Sequence, residues 1–127
     1  MGETKEIAHT TNWILLGLLM LIPGLIKLFL MGPAAITQML TGLGVPAPQF
    51  FAWVLILSEI VFGVLILAKW KLEYTTWVPI IILLVAAFTF YWYGPGKWPS
   101  GPNWVQILAH ITLASNYWLL GASAKSK

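Results

Sequence analysis

The chain has no cysteine, no arginine and no aspartate, and only 9% of its 127 residues are charged. Each absence closes a line of chemistry. Without cysteine there are no disulfides, no thiol–disulfide exchange and no thiolate metal ligands. Any redox chemistry would therefore need a bound cofactor or a partner chain. A di-iron carboxylate bundle needs several inward acidic side chains, whereas of the four glutamates only Glu59 lies within an apolar run. No Ser/His/Asp set or nucleotide fingerprint is present. The stretch "GPGKWPSG" has glycines and a lysine but lacks the spacing of a phosphate loop. The shortage of charge excludes an ordinary soluble domain, which carries about a quarter charged residues.

What is present is apolar surface, at 59% of residues. Four stretches, residues 13–31, 50–68, 75–93 and 103–121, approach the roughly 20 helical residues that cross a hydrocarbon core. The expectation is one all-α domain over residues 1–127, an integral membrane four-helix bundle. The first stretch reads as a retained helix. It exceeds the 7–15 apolar residues of a signal peptide, carries Lys27, and lacks a clear small-x-small cleavage site after it.

Lysines set the orientation. Lys5, Lys69, Lys71, Lys125 and Lys127 fall on the side of both termini, and only Lys97 lies in a loop on the other. The bias predicts a multi-pass protein of the cell membrane with both termini cytoplasmic. Net charge of +3 is explained by anionic lipid headgroups and needs no nucleic acid. Trp13, Trp70, Tyr74, Trp77 and Trp118 on one side, and Tyr91, Trp92, Tyr93, Trp98 and Trp104 on the other, form interfacial belts.

The loops differ in kind. "KWKLEYT" is short and charged, while "YGPGKWPSGPN" is expected to be irregular. In the first outer loop Ile36, Met39, Leu40 and Leu43 share one helical face, and Thr37, Gln38 and Thr41 the other. Pro33 suits the start of a helix, and Gly42 and Gly44 its end. That predicts a short amphipathic helix near residues 36–43, lying at the outer surface as a lid.

Three ionisable groups fall inside the apolar stretches. On a rise of about 1.5 Å per residue, Lys27 lies roughly 6 Å, Glu59 roughly 14 Å and His110 roughly 10 Å below the outer boundary. Lys27 either pairs inward, in a polar site shared with Glu59 and His110, or snorkels outward along its own stem. Glu59 has no such escape and must face the interior, because an unpaired intramembrane carboxylate costs several kcal/mol. The faces agree: Gly17, Met20, Gly24, Lys27 and Met31 share a stripe, Gly63 stacks on Glu59, and Asn103, Gln106, His110, Ala114 and Tyr117 form a polar and small stripe. Such glycines permit close helix approach and serve plain packing equally well. Pro23 is expected to kink the first helix.

"GLLMLIPGLIKLF", then "LGVPAP", then Glu59 followed by Gly63, resemble the DoxX/DoxD-like family of small four-helix membrane proteins. The matching positions are Gly17, Gly24, Lys27, Leu28, Gly44, Pro46, Pro48, Glu59 and Gly63. Many members carry an arginine four residues before the first glycine, where this chain has Trp13, so no role of that arginine transfers. The fourth helix matches loosely. The resemblance implies a membrane component of redox or stress-response complexes, since the family takes its name from a subunit of a thiosulfate:quinone oxidoreductase.

Two classes of function follow. In the first, the chain is the membrane subunit of a quinone-linked oxidoreductase complex. Lys27 and His110 would donate to the quinone oxygens and Glu59 would relay protons, making Glu59, His110 and Lys27 the candidate catalytic residues. Trp53, Phe62, Gln106 and Trp104 would line the cofactor, a quinone. In the second, the chain is a non-catalytic anchor or assembly subunit whose charges fix helix register. A small-solute or proton pathway is a third option. All need membrane lipid, and the first two need partner subunits. No haem or metal is expected, because His9 and His110 lie on opposite sides and Glu59 with His110 alone would under-coordinate an ion.

Overall fold

A computed structural model describes residues 2–125 and is all-helical, with no strand among the described residues beyond an isolated bridge between Trp98 and Gly101. Helix α1 spans Gly2–Ile26 and runs directly into a π-helical turn, Lys27–Met31. Helix α2 spans Pro33–Gly42, α3 Pro48–Leu67, α4 Leu72–Thr75, α5 Trp77–Phe88 and α6 Trp104–Lys125. Helix α1 pairs with α3 and α5 with α6, while α2 lies on α3 and α4 on α6. Lys127, counted above for orientation, lies outside the described residues, as does the Lys125 side chain.

The expected α2 is present, three residues longer at its start. Pro33 occupies the first turn, where a missing N–H costs nothing. Ile36 is fully buried, and Thr37 and Thr41 donate to the carbonyls four residues back, at 2.9 and 2.8 Å. Gly44, with φ +82°, ends the helix: Val45 N–H reaches Leu40 O and Gly44 N–H reaches Thr41 O, both at 3.1 Å. That is the Schellman pattern, which needs a left-handed residue at this point.

Helix α3 buries Ala52, Ile56, Glu59, Gly63 and Ile66. Their 4-3-4-3 spacing is the seam of a tightly packed helix pair. A Cβ on Gly63 would sit 2.7 Å from Leu21 Cα, and one on Gly24 2.9 Å from Glu59 Cβ. The backbones of α1 and α3 therefore meet at these glycines, on either side of Glu59. The two helix pairs are joined by a core of Leu16, Ile66, Leu72, Ile80, Ala114, Tyr117 and Leu120. Two side chains bond to carbonyls across it: Trp13 Nε1–H donates to Ile66 O at 2.6 Å, and the buried Tyr117 hydroxyl donates to Leu16 O.

The third apolar stretch departs from expectation. Residues 75–93 do not form one helix, because α5 stops at Phe88 after 12 residues. Thr89 leaves the helical path with φ −119° and ψ −73°, and its carbonyl collects the N–H groups of Tyr93 and Gly94, each at 3.0 Å. Asn103 N–H then bonds Tyr91 O at 2.8 Å, folding the aromatic run back under the irregular outer loop. Pro95 disfavours helical backbone at Gly94, so no helix could have continued through the Gly-Pro-Gly that follows.

Two helical segments are long and apolar enough to cross a membrane, Glu3–Met31 and Pro48–Leu67. Helix α6 has the length, with 22 residues, but Gln106, His110, Ser115 and Asn116 dilute its hydropathy.

Candidate functional site

Lys27 is the first residue of the π turn. There Gly32 N–H bonds Lys27 O at 2.9 Å, five residues back instead of four. The wider turn is the kind of local departure found at functional positions. It sits one turn beyond Pro23, whose missing N–H already loosens the ladder.

From that turn Lys27 Nζ donates to Glu59 Oε1 at 2.6 Å. Glu59 is only 4% exposed, in the seam between Gly24 and Gly63. Side-chain reach across the seam is possible because Gly24 presents no Cβ to it. The second carboxylate oxygen, Oε2, is buried and has no hydrogen-bond partner among the described residues. It retains capacity for another donor.

Lys27 also faces a cavity of about 600 Å³ between the two helix pairs. Val54, Leu55 and Ser58 of α3 form one wall, and Val78, Ile81, Ile82 and Val85 of α5 the other. Met39 and Leu40 of α2, with Leu43 just after it, line another side, fastened by the Tyr93 hydroxyl, which donates to Leu43 O at 2.9 Å. His110 of α6 and Tyr91 complete it, their rings 4.7 Å apart. The site is thus an apolar chamber with one cation and one imidazole contributed from opposite helix pairs.

His110 Nδ1 lies 2.8 Å from Gln106 O. A carbonyl can only accept, so Nδ1 carries the proton and Nε2 of the neutral ring is an acceptor. His110 makes no hydrogen bond or ion pair with Glu59 or Lys27 among the described residues. Lys27 and Glu59 are joined directly, then, and His110 meets Lys27 only across the cavity.

The other sequence candidates lie elsewhere. Trp53 and Trp104 are exposed and outside the cavity, Trp104 stacking edge-on against Trp92 at 5.2 Å. Phe62 is half-buried on α3 and is not a cavity residue, and Gln106 takes part through its backbone carbonyl. The aromatic walls are instead Phe51, Phe90 and Tyr91. Phe90 and Tyr91 escaped sequence reading because the apolar run appeared to continue as helix. The Gly-Pro-Gly that follows them was the available signal. Among the described residues no three His, Cys, Asp or Glu side chains converge on a metal position.

Comparison with protein families matches the DoxX model over residues 14–92, which contain the π turn, the Lys27–Glu59 pair and both seam glycines but not His110. Curated proteins and solved structures gave no match. With more than half of its length matched and two helices able to span a bilayer, the chain belongs to the DoxX family and is a helical membrane protein.

Proposed function

We propose that the protein is the membrane subunit of a quinone-linked oxidoreductase complex, holding a quinone head in the cavity between its helix pairs. One observation carries this reading: Lys27 and His110, from opposite sides, both line a single apolar chamber. The fit is chemical. A flat ring with two oxygens needs apolar walls, few polar groups and a donor or acceptor at each end, and Phe90 and Tyr91 supply ring surface.

When bound, such a group carries two electrons between its carbonyl and hydroxyl forms. The chain's residues do the rest. Lys27 Nζ, bonded to Glu59, would donate to one oxygen. His110 would face the other oxygen with Nε2, able to accept a proton there while its Nδ1–H stays on Gln106 O. A proton shifted from Lys27 would pass to Glu59 Oε1, to which it is already bonded, while Oε2 keeps capacity for a further donor. We further propose that α1, α3, α4 with α5, and α6 cross the bilayer as a four-helix bundle with both termini cytoplasmic. The helical stretch Leu72–Phe88 reaches the lower limit of about 17 residues for a span.

A specific observation favours an assembly role as the second reading. The ion pair sits where α1 and α3 touch backbone to backbone, where it fixes register whether or not a ligand binds.

Binding separates the two. Purified protein titrated with short-chain ubiquinone is expected to bind it, and Lys27→Met or His110→Ala to weaken binding by about tenfold or more, the value of a charge-assisted or well-placed hydrogen bond. Absence of ubiquinone binding by the unaltered protein would sink the quinone reading and leave the assembly reading. Topology is tested on the same thiol-free chain. Ser100→Cys is expected to react with an impermeant outside reagent, and Ser126→Cys, beyond the described residues, to be protected. The opposite pattern reverses the orientation.

A further inference from the structure

At the end of the molecule that holds α4, a second cavity of about 250 Å³ is lined by Glu73, Thr76, Trp77, Trp118, Gly121 and Ala122. It forms where α4 and α6 close on each other at Gly121, leaving a notch between Glu73 and the two indoles. The Trp77 and Trp118 rings lie 6.4 Å apart, tilted by 41°, with both residues at least half exposed. Glu73 makes no hydrogen bond or ion pair among the described residues. The two lysines of the same loop are engaged elsewhere: Lys69 lies 4.1 Å from the ring centre of Trp13, and Lys71 5.1 Å from that of Trp70.

The walls therefore offer a carboxylate with no cation partner among the described residues and two indole side chains. Thr76 adds nothing, since its hydroxyl is committed to Leu72 O at 2.7 Å. An anion would meet Glu73 with no counter-charge in the walls. A cation would meet the carboxylate beside two indoles, the aromatic side chain with the strongest attraction for a positive group. We propose that this notch binds an alkylammonium head group, separately from the larger cavity and whatever occupies it. The chemistry is shared by the choline or ethanolamine end of a phospholipid and by a free amine. Its place among the belt of Trp70, Tyr74, Trp77 and Trp118 puts it at headgroup level in a bilayer.

The test uses full-length protein in an uncharged maltoside detergent, with binding read by ligand-observed NMR. Choline is expected to bind, and 3,3-dimethylbutan-1-ol, its uncharged isostere, to bind at least tenfold more weakly. Glu73→Gln is expected to weaken choline at least tenfold, and Trp118→Ala to weaken it with an unchanged melting temperature. Equal binding of the two isosteres, undiminished choline binding by Glu73→Gln, or no choline binding at all overturns the proposal. Dihexanoylphosphatidylcholine then identifies the source. Binding tenfold tighter than choline assigns the notch to a lipid, and equal binding assigns it to a soluble amine.

Discussion

Gly63→Ala is expected to lower the stability of the protein by about 1–3 kcal/mol, the usual cost of forcing a methyl group into a filled core. The added Cβ would come within 2.7 Å of the N, Cα and Cβ atoms of Leu21. Two of these are backbone, so no rotamer change relieves the contact and the helices must separate. Separation at that point also lengthens the reach from Lys27 to Glu59, one turn away in α3. Gly42→Ala is the control. Nothing lies within 4 Å of a Cβ there, and alanine in a helix is favoured over glycine by about 1 kcal/mol. Thermal unfolding in detergent should therefore drop for the first variant and hold or rise for the second. Equal melting temperatures would mean that the α1–α3 seam is not the tight contact described.

The seam explains what could be read from the chain in advance. Glycine spacing around Lys27 and Glu59, together with their common depth, was enough to bring the two residues together, since burying a lone carboxylate is too costly to be ignored. The amphipathic α2 was legible for a similar reason: its apolar residues repeat at helical spacing between a proline and a glycine. The π turn was not. It begins at Lys27, whose partner lies 32 positions away, and local spacing carries no information on such a contact. The end of α5 was misjudged because hydropathy runs unbroken through Phe90 and Tyr91, while the fold obeys the backbone demands of Pro95 and the hydrogen bonds gathered at Thr89. His110 lay at the right depth, yet its nearest partners are Gln106 O and Tyr91 and not the carboxylate. Depth places groups in a layer. Only packing decides which of them touch.

The largest effect is expected at the ion pair itself. Glu59→Leu leaves the Lys27 ammonium facing apolar walls, and Lys27→Met leaves a carboxylate that is only 4% exposed. Breaking a buried pair from one side typically costs about 3–5 kcal/mol. The lysine's side chain is 21% exposed, so an ammonium left alone can turn outward and Glu59→Leu should fall at the low end of that range. Lys27→Met should fall at the high end, because Glu59 cannot move out of the seam. The double variant removes both charges and keeps similar volume, and such replacements are often neutral or stabilising. A double-mutant cycle read by thermal or denaturant unfolding should therefore show strong coupling, with the double variant near the unaltered protein. Additive losses would show that the two charges contribute independently, and the pairing would then have no energetic role. The same double variant also separates the functional readings. If the pair serves only helix register, a stable double variant should bind short-chain ubiquinone as the parent does. If Lys27 supplies the donor at the head of the cavity, binding should fall by tenfold or more although the fold is intact.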